Sequence, residues 1–157
     1  MIELENLPEF SIGLGTAGLS GEGAGYGFGP ISEAEACSVV KEAINQGVKF
    51  FDTAPIYGFG MAEERLGKSV KNDRDHIFII SKTGVSWHPN KRVNMTNDPK
   101  STKKMLEDSL RRLDSDYIDA VLVHWTDSKI DIRSTYEVLA KAKLQGKINY
   151  LGLSNTS

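Results

Sequence analysis

The stretch Val48-Lys49-Phe50-Phe51-Asp52-Thr53-Ala54-Pro55-Ile56-Tyr57-Gly58 decides the fold. Its first residues form an apolar run too short for a helix and rich in aromatic and β-branched side chains, as in a buried strand. The run stops at an acidic residue, Asp52. A loop follows, then an amphipathic segment over residues 62–70. The same sequence of events recurs down the chain. Apolar runs over residues 77–80, 118–123 and 148–153 alternate with helical patterns over 100–113 and 132–143. Upstream, residues 10–14 read as a short strand. A helix with apolar face Ala36, Val39, Val40, Ala43 and Ile44 opens at Ser32, where Glu35 completes a capping box, and Gly47 closes it. Asp98 and Pro99 supply the N-cap and N1 of the later helix, and Gly146 ends the last one. The order is βαβαβαβαβ, with five strands predicted to run parallel. Near-continuous apolar runs are what a parallel sheet covered by helices requires. A doubly wound sheet and a barrel both satisfy this pattern.

The composition agrees with a globular α/β chain. Of 157 residues, 39% are hydrophobic and 25% charged, and the formal charge is −2, with no like-charge run of the kind that marks a nucleic-acid partner. No apolar stretch approaches the roughly 20 residues that span a bilayer. The opening residues carry neither a basic nor an apolar signal segment, so a cytoplasmic location is the expectation. The single cysteine, Cys37, is expected to pack as a small apolar residue on the first helix. One domain over residues 1–157 is the expected organisation.

The chemistry collects where the strands stop. Thr16, Asp52, Lys82, His124 and Asn155 follow the five apolar runs in turn. Right-handed crossovers make the strands parallel, so these ends share one face, where α/β folds hold their ligands. Taken singly, each has an ordinary structural reading: a loop cap, a snorkelling lysine, a core histidine, a rim tyrosine. Together they suggest more. A cation near Tyr57 is expected to draw its phenol below the usual value of about 10, and an aspartate beside the lysine holds that cation in place. A histidine N–H aimed at the same point would help a carbonyl accept charge under nucleophilic attack. The predicted chemistry is carbonyl reduction. Residues 83–98, with Trp87, His88 and Asn90, form a long segment expected to act as a lid or substrate loop.

These residues resemble the aldo-keto reductase family over almost the whole chain. The resemblance is carried by Gly13-Leu14-Gly15-Thr16, Phe51-Asp52-Thr53-Ala54-Pro55-Ile56-Tyr57-Gly58, Glu63-Glu64-Arg65-Leu66-Gly67, Ser81-Lys82, residues 113–119, His124-Trp125, Gly146-Lys147 and Gly152-Leu153-Ser154-Asn155. It implies the (β/α)8 TIM-barrel type and NADPH-dependent reduction of an aldehyde or ketone. On it, Tyr57 is the general acid, Lys82 tunes Tyr57, Asp52 pairs with Lys82, and His124 orients the carbonyl. Gly15, Thr16 and Asp52 match positions beside the nicotinamide ribose, and Ser154 and Asn155 positions that hold its carboxamide. Ala17, Phe59, Trp87 and Trp125 are expected walls of the substrate pocket. The Asp-Thr-Ala-Pro-x-Tyr-Gly form looks most like the branch of sugar and pyridoxal dehydrogenases.

Two other patterns point elsewhere and do not hold. Gly13-Leu14-Gly15-Thr16-Ala17-Gly18 spells the Rossmann fingerprint, but a glycine-rich loop, not a helix N-terminus, follows it. His76, His88 and His124 stand too far apart for a metal site, and His76 lies in a polar surface segment.

A full barrel of this type takes about 250 residues, and this sequence reaches only a fifth strand. In the family, the remainder supplies the aromatic that stacks on the nicotinamide and the basic segment that grips the adenosine phosphates. The expectation is therefore an incomplete barrel, the N-terminal part of such a reductase. It gains activity with a complementing C-terminal half or by self-association, since an open barrel piece exposes sheet edges and apolar interior. The alternative is a non-catalytic binding or regulatory subunit that retains the scaffold.

Overall fold

The structure, a computed structural model, describes residues 12–21 and 26–156. Five parallel strands form one sheet in the order β1 (Gly13–Gly15), β2 (Phe50–Asp52), β3 (Phe78–Thr83), β6 (Ile118–Val123), β7 (Ile148–Leu153). Between them run α1 (Glu33–Asn45), α2 (Met61–Val70), α3 (Pro99–Leu113) and α4 (Ile132–Leu144). A separate antiparallel pair, β4 (Val85–Trp87) with β5 (Val93–Met95), lies in the segment after β3.

Local chemistry explains the boundaries. Ser32 and Glu35 form the predicted capping box at the start of α1. At its end, Gly47 adopts φ 86° and the amides of Gly47 and Val48 donate to Ile44 and Ala43. These are the paired bonds of a Schellman closure. The Val48 amide is thereby committed to the helix, so β2 begins at Phe50 rather than at residue 48. Gly146 closes α4 in the same way. Asp98 caps α3 with Pro99 in its first turn, as the sequence predicts.

Elsewhere the boundaries move. β3 continues past residue 80, because Ser81, Lys82 and Thr83 pair with Val121, Leu122 and Val123, so Lys82 is a strand residue rather than one following the strand. The first strand lies at Gly13–Gly15, later than the predicted residues 10–14, of which 10 and 11 lie outside the described residues. The β4–β5 hairpin is the element the sequence reading misses. Its turn contains Lys91 in the left-handed region, at φ 64°.

The core fills the space between sheet and helices. Phe51, Ile79 and Val121 from the sheet meet Leu66, Leu106, Leu113 and Leu139 from α2, α3 and α4, all buried. α2 and α3 approach closely at Gly67, where a Cβ would stand 2.5 Å from the Leu113 carbonyl oxygen. On α1, Ala36 and Val40 are buried, but Val39 is exposed and Cys37 only half-buried, so the buried stripe is narrower than the sequence suggests. The opposite face of the sheet carries rings from three strands. Phe50 lies 5.4 Å from Phe78, and Phe78 lies 5.9 Å from Tyr150. On this face Phe50, Ile80, Leu122 and Tyr150 are only half-buried.

Beneath the sheet, at the N-terminal ends of its strands, Asp119 accepts from Arg74 at 2.8 Å and from the Ile79 amide at 2.9 Å. The guanidinium also lies 3.9 Å over the ring of Tyr117. Removing one partner of a buried pair leaves the other charge unsatisfied. Asp119→Ala is therefore expected to lose about 3–5 kcal/mol in urea unfolding. Lys71→Ala, which removes an exposed pair with Asp114, is expected to leave the midpoint unchanged.

Candidate active site

Side chains alternate along a strand, so Ile79 and Ser81 face the helices while Ile80 and Lys82 face the other way. Lys82 is 5% exposed, and a buried ammonium requires acceptors. Two are supplied from the next strand: Asp52 Oδ1 at 2.6 Å and the Thr53 carbonyl at 2.8 Å. The Thr53 carbonyl is a partner that sequence reasoning does not reveal, because any residue there has one. The Lys82 ammonium also sits 5.3 Å from the centre of the Tyr57 ring. His124 meets that ring edge-on at 6.1 Å. The four residues of the predicted catalytic set thus come together at the C-terminal ends of β2, β3 and β6.

Tyr57 is presented by an unusual turn. In the 3-10 segment Tyr57–Gly60, Gly58, Phe59 and Gly60 all have positive φ, at 63°, 54° and 100°. Glycine takes this conformation freely, but Phe59 does not, and strain of this kind accumulates at functional turns. A Cβ at Gly58 would stand 2.6 Å from Ser20 Cβ, so the turn also packs tightly against the loop after β1.

The electrostatics differ from the sequence expectation in one respect. Burial, reinforced by the Asp52 carboxylate, raises the Tyr57 phenol above its ordinary value. The depressed phenol predicted from a neighbouring cation is not found, because Asp52 neutralises Lys82 at contact distance while burial penalises the phenolate. Burial also lowers Lys82, against the opposing hydrogen bond and charge of Asp52. His124 is pushed down to about 4, first by burial and then by the Lys82 ammonium, with Asp52 acting in the other direction. At neutral pH the site therefore presents a neutral imidazole and a protonated phenol beside a compensated ion pair.

The remaining predicted residues fall around this centre. The Asn155 side chain, on a residue at φ 52°, donates to the His124 carbonyl at 2.9 Å and to Ser154 Oγ at 3.1 Å. Ser154 and Asn155 are thereby tied to His124. Gly15 pairs in register with Asp52, and among the described residues a Cβ there would meet nothing within 4 Å, which leaves an open strip beside the carboxylate. Thr16 is fully buried, with no hydrogen-bond partner for its hydroxyl among the described residues, so its side chain is enclosed rather than presented. Phe59 and Trp87 pack edge to face at 5.5 Å, in an apolar cluster with Ala54, Ile56 and Val85. Trp125 lies 6.3 Å from His124 and is exposed. Ala17 begins the turn after β1 and is not part of that cluster. The hairpin that brings Trp87 to Phe59 has a faint sequence signal in the alternation Val85-Ser86-Trp87. Among the described residues no group of side chains could hold a metal ion, and no helix is long and apolar enough to cross a membrane.

A histidine whose folded value lies near 4, against about 6.5 when unfolded, opposes protonation of the native state. The unfolded chain then binds the proton first, so stability should fall as pH drops from about 6.5 to about 4 and change no further through this group below that. Urea unfolding across this window should show the slope, and His124→Asn should reduce it. An NMR titration placing the His124 midpoint at the usual value would contradict the burial account.

The chain is similar in sequence and in fold to known proteins. The family model described as the aldo/keto reductase family matches residues 11–157. The aldo-keto reductase YhdN of Bacillus subtilis is 37% identical over 148 residues, covering 93% of this chain and 43% of that protein. The aldo-keto reductase yakc [NADP(+)] of Schizosaccharomyces pombe is 35% identical, covering 94% of this chain and 43% of that one. Among solved structures, a glycerol dehydrogenase from Gluconobacter oxydans superposes with a TM-score of 0.83 at 33% identity, covering 92% of this chain and 44% of that one. An aldo-keto reductase from Klebsiella pneumoniae in complex with NADPH gives 0.76 at 30% identity, covering 94% and 46%. The chain spans under half the length of these relatives, and its five-stranded sheet matches the corresponding part of their barrels. With the match running from residue 11 to the last residue, the chain belongs to the aldo/keto reductase family.

Proposed function

We propose that this chain carries the catalytic face of an NADPH-dependent oxidoreductase that reduces an aldehyde or ketone to an alcohol. The observation that carries the reading is the contact of Lys82 with Asp52 at 2.6 Å, with the Tyr57 ring 5.3 Å from the ammonium and His124 against the same ring. A relative in complex with NADPH and another whose name includes NADP(+) support the cofactor. The chain's own residues fit one end of it. Gly15 leaves open space beside Asp52, and the Ser154–Asn155 pair lies next to His124, so these residues would hold the ribose and carboxamide side of the nicotinamide. The enclosed Thr16 would contribute only to the shape of that strip. When bound, the cofactor supplies a hydride.

In this reading a small carbonyl substrate lies between Tyr57 and His124, with Phe59, Trp87 and Trp125 as apolar walls. The neutral His124 keeps an N–H to donate to the carbonyl oxygen, which fixes its position and stabilises the charge that develops there. Tyr57 retains its proton at neutral pH, because burial raises its phenol, and delivers it as the oxygen becomes basic. Lys82, held by Asp52 and Thr53, places positive charge under the ring at the moment the phenol gives up its proton.

The rest of the site is proposed to come from outside these residues. β1 and β7 are the edges of the sheet, and the half-buried Phe50, Ile80, Leu122 and Tyr150 line the face that further strands cover in a closed barrel. Residues 1–157 act in this proposal as one cytoplasmic domain completed by a C-terminal half or by a second copy. Titration of the chain with NADPH, following nicotinamide fluorescence with the solution mass from light scattering, is expected to show saturable binding in an associated state. In that state Tyr57→Phe should lower aldehyde turnover by about 10²–10⁴-fold and leave NADPH affinity unchanged. Equal turnover by the two proteins overturns the reading, as does a folded chain that binds no NADPH either alone or when mixed with the C-terminal half of a relative's barrel; the latter result favours a non-catalytic binding subunit.

A further inference from the structure

Glu63 lies in the first turn of α2 and has 0% exposure, yet it takes no part in the chemistry above. Ser81 Oγ donates to its Oε1 at 2.6 Å, and Arg112 Nε, from α3, donates to its Oε2 at 2.7 Å. Arg112 also bonds Ser109. Burying two charges in the seam between a sheet and two helices carries a desolvation cost that good pairing only offsets, and apolar residues of similar volume would hold such a seam as well. Stability alone gives little reason for the pair.

Its attachments give a better one. Ser81 immediately precedes Lys82 on β3 and faces the helices while Lys82 faces the site, so a bond that fixes Ser81 also fixes the strand at Lys82. Arg112 lies over Gly60, the last residue of the turn that presents Tyr57; a Cβ there would stand 2.6 Å from Arg112 Cδ. The same guanidinium lies 6.0 Å from the ring of Trp87. One buried carboxylate is therefore connected through Ser81 to Lys82, and through Arg112 to the Tyr57 turn and the Trp87 wall.

We infer that Glu63 is a positioning residue for the proposed reaction: with Ser81 and Arg112 it locks the strand bearing Lys82 to the turn bearing Tyr57, and it backs that strand with a second negative charge. The inference rests on the reading of Lys82 and Tyr57 as the reactive pair. The groups that face the Lys82 ammonium are Asp52 at the end of β2, Tyr57 on its turn, His124 at the end of β6 and, from behind the strand, Glu63. Of these, Asp52 and Glu63 favour the charged amine against the effect of burial.

The test is an NMR titration of the Lys82 side chain in the full 157-residue chain, assigned with Lys82→Met. Glu63→Gln keeps the shape and removes the charge, and it is expected to lower the Lys82 midpoint by about 1 pH unit and shift the Tyr57 ring resonances. A carboxylate serving only to fill the seam would leave the Lys82 midpoint in place. Should Arg112, left unpaired, prevent folding, the double variant Glu63→Met/Arg112→Met replaces both charges with apolar side chains, a change that seams of this kind tolerate. Its Lys82 midpoint is expected to fall by less, because an opposing charge leaves at the same time. An unchanged midpoint in the folded single variant, or in the folded double variant where the single one does not fold, overturns the inference. Neither measurement involves NADPH or turnover, so its failure and that of the reductase reading are separately visible.

Discussion

A buried ammonium cannot exist without its acceptors, and the site is arranged around that requirement. Lys82 lies where β3 passes under the Tyr57 turn, and it is held by Asp52 and by the Thr53 carbonyl, both from the end of β2. Its position therefore depends on the parallel pairing of β2 with β3, whose register places Asp52 opposite Ile80. The crossover that makes these strands parallel is α2, and α2 also contributes Glu63. The fold and the charge arrangement are in this sense one problem: the helix that enforces the strand direction supplies part of the electrostatic setting of the lysine.

Compensation has a chemical result. Because Asp52 balances Lys82, the field at Tyr57 is not that of a bare cation, and burial sets the phenol above its ordinary value. A tyrosine that holds its proton until charge develops nearby is a donor responsive to the reacting oxygen, and it does not exist as a phenolate at rest. His124, driven to about 4 by burial and by Lys82, is likewise neutral near pH 7. The site keeps two neutral hydrogen-bond donors next to a paired ammonium, with little net charge to attract water or adventitious ions.

Much of this was legible in the sequence because the signals were local. The capping box at Ser32 and Glu35, the Asp98-Pro99 start and the glycine closures are short-range devices, and each forms as its residues dictate. Asp52, Lys82 and His124 could be brought together because strand ends in a parallel sheet share a face. The features that the sequence does not show depend on long-range contacts. The extension of β3 to Thr83 comes from pairing with β6, which overrides the polarity of Ser81 and Lys82. The roles of Ser81 and Arg112 depend on a carboxylate 18 and 49 positions away. The direction of the Tyr57 shift follows first from the burial of its ring and then from the Asp52 carboxylate, and burial of a loop side chain is something no spacing rule supplies.

The hairpin of β4 and β5 pairs with itself and stands apart from the main sheet. A two-stranded ribbon has little stability of its own in water. It is held down by the contact of Trp87 with Phe59, by the packing of Val85 with Ala54 and Ile56 and by the Arg112 guanidinium near Trp87. The proposed pocket wall is thereby built on a two-stranded ribbon, whose local opening is expected to cost less than unfolding of the five-stranded sheet that carries Asp52 and Lys82. Access to the proposed site and its integrity are then expected to depend on two different equilibria, since opening of the ribbon does not require the sheet beneath it to unfold.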